Sequence, residues 1–163
     1  MSSTIQSYLA ALRGALRQSP DVILLGEMRD YETIGTAVSA AEMAQLLFST
    51  LHTTGAANTV DRIIDVFPAG QQAQVRMQLS MVLQAVISQQ LVPTLDGKQT
   101  PAFEIMYTNP AIKNLIREAK THQIDSAIQA GAAQGMCTMD ASLLRLVTEK
   151  RVSKETAHTL HAL

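Results

Sequence analysis

Val22-Ile23-Leu24-Leu25-Gly26-Glu27-Met28-Arg29-Asp30 is the stretch on which the fold turns. Four consecutive branched apolar residues, bounded by Pro20 and Gly26, predict a short strand buried on both faces, as inside a parallel sheet. Glu27 then falls just past the carboxyl end of that strand. In open α/β sheets this edge is where ligands bind and chemistry occurs.

Upstream, Ile5, Leu9, Leu12 and Leu16 share one helical face, and Pro20 closes that helix. Downstream, Ile34, Ala37, Val38 and Ala41 mark an amphipathic helix, and Leu46–Leu51 a second apolar strand ending at His52. Residues 55–66 form a further helix with Val60, Ile63 and Ile64 on one side, stopped near Pro68. This alternation of helix and strand predicts an α/β fold with a parallel sheet, here with two clear strands. In the second half, Val75, Leu79, Val82, Leu83, Val86 and Leu91 lie on one stripe, which predicts a long helix over 71–91. A β-hairpin follows, turning at Asp96-Gly97, with Phe103, Ile105 and Tyr107 alternating with polar or small neighbours. Beyond Asn109 the pattern is helical throughout, with Thr138 and Ser153 as N-caps of the last two helices. The expected boundary separates residues 1–107 from a helical region over 108–163.

Bulk properties narrow the class. The chain has 163 residues, enough for one ordinary domain, and its 47% apolar content supports a core, packed by aliphatics because only 4% is aromatic. A formal net charge of −1 gives no global attraction for nucleic acid or an anionic membrane. The single cysteine, Cys137, forms no internal disulfide and fits a reducing compartment. No run is long enough for a membrane span and the start lacks a signal-peptide pattern, so a soluble, cytoplasmic protein is expected.

Glu27 and His52 are the candidate catalytic residues. A strand-end glutamate suits a general base that orients the water attacking a terminal phosphate; its bland alternative is a carboxylate paired with Arg29. If the two strands are adjacent and parallel, His52 projects into the same crevice, with Thr50, Thr53 and Thr54 as hydroxyl donors nearby. Arg29 and Asp30 pair locally or bridge subunits. Lys113, Arg117 and Lys120 have the spacing of one helix face, for which a solvated surface is the simpler reading. Asp125 and Asp140 read as helix-start carboxylates, and Cys137 has no His or Cys nearby in sequence to suggest a metal site. No G-x-x-x-x-G-K-[ST] phosphate loop occurs; Gly97-Lys98 is the one Gly-Lys pair, and it falls in the hairpin turn.

The segment from Ala11 to Asp21 leading into Gly26-Glu27-Met28-Arg29-Asp30 resembles the Walker B region of secretion-type ATPases. Phe48-Ser49-Thr50-Leu51-His52-Thr53-Thr54 resembles their His box. Ala111-Ile112-Lys113-Asn114-Leu115-Ile116-Arg117-Glu118 is similar to a C-terminal motif of the twitching-motility retraction ATPases (PilT type) of type IV pili. The resemblance runs from about Leu9 almost to the end, and it matches the C-terminal half of such proteins. The family carries a PAS-like domain and a phosphate loop further upstream. It implies a partial RecA-like parallel sheet over 1–107, then a hairpin and a helical C-terminal region carrying the retraction-type motif. It further implies Glu27 as catalytic glutamate, His52 near the terminal phosphate, and Ala111–Glu118 acting in retraction. By the same resemblance, the complete protein is expected to use ATP and Mg²⁺ as a cytoplasmic homo-hexamer peripheral to the inner face of the membrane, working against inner-membrane platform proteins of the pilus, without nucleic acid. No residue of this chain is assigned to bind cofactor or metal, because Walker A is absent. Two departures stand out: Ala44-Gln45 occupy the family's Gly-His, and Lys113 replaces a more usual arginine. The expectation is the C-terminal portion of a pilus retraction ATPase, inactive alone. The competing reading is a non-catalytic short paralogue that regulates a pilus or type II secretion ATPase ring.

Overall fold

A computed structural model describes residues 8–160; Ile5 of the first predicted helix lies outside them. The described chain is α/β, with a two-stranded parallel sheet, a two-stranded antiparallel sheet and a helical C-terminal region. It divides into two compact units, one of residues up to His52 together with Asp61–Leu83, the other of Thr53–Val60 together with residues from Gln84 onward.

In the first unit, α1 (Tyr8–Leu16) leads into β1 (Val22–Leu25), α2 (Tyr31–Glu42) and β2 (Leu46–Ser49). The strands pair in parallel, Val22 opposite Leu46 through Leu25 opposite Ser49. Parallel pairing requires a crossover, and α2 supplies it, starting at Asp30, whose carboxylate accepts from the Thr33 amide at 2.8 Å. Leu12, Ile23, Leu25 and Ala37 form the buried core here, with Leu16, Met28 and Leu47 packed around it. The expectation that β1 is buried on both faces is corrected: Ile23 and Leu25 are buried, whereas Val22 and Leu24 are exposed, Leu24 by 78%. Leu46 and Phe48, their register partners, are exposed as well. The helices of this unit cover one side of the sheet, so the aliphatic run keeps the composition of an interior strand while only alternate residues are enclosed. Ala44 follows α2 with φ 65°, the left-handed position after a helix that glycine ordinarily occupies.

The predicted long helix over 71–91 is also corrected. α4 (Ala69–Val82) stops where Leu83 turns extended, and Ala85–Pro93 is strand β3. β-Branched Val86 and Ile87 and a nine-residue antiparallel partner, β4 (Gln99–Tyr107), outweigh a helical stripe that continues in the sequence by coincidence. The hairpin turn lies where expected, with Gly97 at φ 79° and the Gly97 amide bonded to the Thr94 carbonyl at 3.1 Å. That places Gly97-Lys98 in a turn rather than beside a phosphate.

The second unit is built on this hairpin. Phe103, Ile105 and Tyr107 occupy its more open side, while Thr100, Ala102, Glu104 and Met106 are buried. Small residues at 100 and 102 let α7 (Met139–Thr148) lie close, and Val92, Ala102, Met139, Leu143, Leu146, Val152 and Ala157 form one core cluster with it. Thr138 and Ser153 cap α7 and α8 (Lys154–Leu160), accepting from the Ala141 and Thr156 amides at 3.2 and 3.0 Å. Between β4 and α7 come α5 (Pro110–Arg117) and α6 (Ile124–Ala130), each burying two isoleucines.

Two expectations follow. Ala44→Gly relieves a left-handed alanine and raises stability by about 1 kcal/mol, read as a higher urea midpoint at unchanged slope. Leu24→Lys removes the most exposed aliphatic of the open face, and sedimentation velocity should show less self-association than in the parent chain.

Candidate functional site

The parallel register carries the site. Beyond the last strand pair the ladder continues: the Met28 amide donates to the Thr50 carbonyl at 3.2 Å, and the Thr50 hydroxyl donates to the Gly26 carbonyl. Two extended segments therefore leave the sheet edge side by side, one bearing Glu27 and the other His52. Glu27 Oε1 lies 3.6 Å from His52 Nε2, so the structure brings the two candidate residues together. The His52 side chain is 89% exposed and the Glu27 side chain 22%. The imidazole is thus open to a ligand while the carboxylate beside it is largely covered.

Arg29 closes the other side of Glu27. Its Nε donates to Oε1, and a guanidinium nitrogen donates to Oε2 at 2.8 Å, an arrangement that engages both carboxylate oxygens. Hydrogen bonding from Arg29 is the main reason that the Glu27 carboxyl titrates below its ordinary value; desolvation opposes it, and the charges of Arg29 and His52 add to the lowering. Glu27 is accordingly an ionised acceptor at neutral pH, and Arg29 pairs with it locally. Asp30 is occupied as the cap of α2.

The hydroxyls near His52 are less free than the sequence suggests. Thr50 is bonded to Gly26, and Thr53 shares a 2.8 Å hydrogen bond with Thr59. The Thr59 hydroxyl also donates to the Gly55 carbonyl at 2.7 Å, and Asn58 Nδ2 donates to the Thr54 carbonyl at 2.9 Å. The segment after His52 is folded onto the first turn of α3 (Ala56–Asp65). Sequence reading missed what holds that turn. The Gly55 amide donates to Ser88 Oγ at 2.9 Å, and the Ala56 amide donates to Glu104 Oε1 at 2.6 Å. Nothing in the sequence pattern signals it, since Glu104 falls among the polar or small residues that alternate with Phe103, Ile105 and Tyr107. Gln45 Oε1, at the place of the family's second His-box residue, is enclosed without a hydrogen-bond partner among the described residues.

The retraction-type motif forms α5 and its C-cap. Asn109 caps it by accepting from the Ile112 amide at 3.0 Å, and Pro110 stands where its missing N–H costs nothing. Ile112 and Ile116 are buried; Asn114, Arg117 and Glu118 face outward, with Arg117 bonded to Asn114 and Lys120 paired with Glu118 at 2.7 Å. Hydrogen bonding from Lys120 holds the Glu118 carboxyl below its ordinary value. Because α5 ends at Arg117, Lys120 lies beyond it, and the three cations do not form one helical face.

With this geometry in place, kinship can be read. Residues 3–161 match the family model described as type II/IV secretion system protein. The chain belongs to that family. A twitching motility protein of Neisseria gonorrhoeae is 57% identical over 93% of the chain, and the type IV pilus retraction ATPase PilT of Pseudomonas aeruginosa is 55% identical over 92%. The chain spans only 41% and 44% of those two relatives. A crystal structure of the pilus retraction motor PilT with bound ADP superposes with TM-score 0.87 at 44% identity, over 98% of the chain and 45% of that structure. The α/β architecture is therefore that of part of a secretion-family ATPase. Among the described residues, no helix is long and apolar enough to cross a membrane.

The electrostatics of the site carry a sign. A lowered folded-state pKa at Glu27 means that the Arg29 pairing contributes fully above the ordinary carboxylate value and is lost as pH falls through the depressed one. Arg29→Ala should move the Glu27 titration upward toward that ordinary value, followed through the carboxyl carbon by NMR. A titration that stays put would show that the guanidinium is not its cause.

Proposed function

We propose that this chain is the hydrolysis-and-output portion of an ATP-driven type IV pilus retraction motor. The observation that carries the reading is the juxtaposition of Glu27 and His52 at adjacent carboxyl ends of parallel strands, 3.6 Å apart. Phosphoryl transfer needs little covalent chemistry from a protein; positioning and charge do most of the work. Glu27 supplies an ionised acceptor that orients the attacking water and takes its proton. Each Glu27 oxygen accepts one hydrogen bond from Arg29 and keeps a lone pair with which to accept from that water. His52, exposed beside it, supplies a donor toward the terminal phosphate oxygens.

The residues fit the terminal-phosphate end of a nucleotide and not the rest of it. No phosphate loop is present in the sequence, and among the described residues no three His, Cys, Asp or Glu side chains gather to hold a metal ion. Mg²⁺ in such a site would rest on nucleotide oxygens and on groups that this chain does not supply. The α5 motif, Ala111–Glu118, is the output element in this proposal: its isoleucines anchor it, and its outward Asn114, Arg117 and Glu118 face the machinery that is moved. The complete motor is a homo-hexamer on the cytoplasmic side of the inner membrane, engaging the pilus platform. A regulatory module that docks on an intact ring is the second reading, favoured by the open apolar face of Val22, Leu24, Leu46 and Phe48.

Reconstitution separates the two. The chain alone should show no ATP turnover. Mixed with a purified polypeptide carrying the family's phosphate loop, it should restore turnover, and Glu27→Gln should lower that rate by about 10²–10⁴-fold. Restoration that survives Glu27→Gln, or a chain that alters only an already intact motor, would sink the hydrolytic reading in favour of the regulatory one.

A further inference from the structure

Glu104 is the one buried acidic side chain among the described residues, at 5% exposure, and it lies outside the Glu27–His52 pair. Burying a carboxyl group within a hairpin is costly unless its oxygens are satisfied. Here each oxygen has a different partner. Oε1 accepts from the Ala56 amide at 2.6 Å, at the start of α3, and Oε2 accepts from the Met139 amide at 3.3 Å, at the start of α7. Both partners are N-terminal helix amides that lack a partner within their own helix, and negative charge is favourable at both ends.

Ser88 stands directly opposite Glu104 in the β3–β4 register and is likewise buried. Its hydroxyl accepts from the Gly55 amide at 2.9 Å. A cross-strand pair thus presents acceptors to two consecutive amides, Gly55 and Ala56. Gly55 sits at φ 86°, and a Cβ there would meet Glu104 Oε1 at 3.7 Å, so conformation rather than space selects glycine. The preceding residues are bonded to the helix that this anchor starts: Thr53 is tied to Thr59 and Thr54 to Asn58, both in the first turns of α3. His52 is the next residue along the chain.

We propose that Glu104, aided by Ser88, is a positioning residue for the His-box loop: its carboxyl group fixes Ala56, at the end of the Thr53–Ala56 segment that follows His52, and ties it to the start of α7. Ser88 holds the register of the loop, and Glu104 joins the starts of two helices. Loss of the carboxyl group loosens the start of α3, to which the segment after His52 is bonded, while leaving the hairpin ladder and the helix interiors intact. The consequence for catalysis rests on the reading of His52 as a phosphate-facing residue. The structural claim needs no nucleotide and is tested separately.

The test is amide hydrogen exchange by NMR on the intact chain, with Glu104→Gln and Ser88→Ala. A glutamine keeps the shape but offers one acceptor oxygen and one NH₂, so it cannot accept from both amides through separate atoms. In Glu104→Gln, exchange at Ala56 or Met139 should accelerate by about tenfold or more, the β3–β4 ladder should keep its rates, and the His52 ring resonances should shift. Ser88→Ala should accelerate Gly55 and leave Met139 unchanged. Unchanged rates at both Ala56 and Met139 overturn the proposal. So does uniform acceleration across hairpin and helices, or an unmoved His52 spectrum. Should Glu104→Gln fail to fold, scalar coupling across the Ala56 N–H···Oε1 bond in the parent chain decides: its presence supports the anchor and its absence overturns it.

Discussion

The parallel pairing of β1 with β2 is the constraint on which the candidate site depends. Side chains far apart in sequence meet because the two strands run the same way and end together, and because Met28 and Thr50 extend the ladder one step past the last strand pair. An antiparallel arrangement would send Glu27 and His52 to opposite ends. The crossover that makes parallel pairing possible is α2, and Asp30 begins it, three residues after the glutamate. One short segment therefore ends a strand, presents a carboxylate, pairs it with Arg29 and starts the returning helix. Little freedom remains in where Glu27 sits.

The two strands and the strand-end pair were legible in the sequence because they depend on local signals: aliphatic runs, a glycine, and a polar residue shortly after each run. The helical region after Asn109 was legible for the same reason, through Thr138, Ser153 and regularly spaced isoleucines. The failures share a different cause. The stripe from Val75 to Leu91 satisfies helical spacing, yet Ala85–Pro93 is strand because a partner nine residues long lies across the turn. Local periodicity carries no information about such a partner. In the same way, four aliphatics at Val22–Leu25 announce an interior strand, but which face is covered depends on what else packs there.

Glu104 shows the limit most sharply. Read along β4, it is a polar residue alternating with Phe103 and Ile105, and alternation assigns it to solvent. Its burial follows from two helix starts, one before the hairpin and one after it, which converge on its oxygens. The satisfaction of a buried polar group is a three-dimensional fact, set by backbone amides whose own residue types, alanine and methionine, reveal nothing. The sequence pattern marks Phe103 and Ile105 as the valuable side, yet the smaller residues Thr100 and Ala102 let α7 approach.

The hydrogen bond between Ala56 and Glu104 also imposes an order in time. The donor precedes its acceptor by 48 residues, and Glu104 precedes its second donor, Met139, by 35. At a synthesis rate of about 5–20 residues per second, the first turn of α3 waits roughly 2–10 s for its acceptor to be made. During that interval the β1–β2 pair already has all its residues, while the segment leaving His52 lacks the groups that settle it. The β1–β2 strands are thus made before the groups that fix the loop behind them.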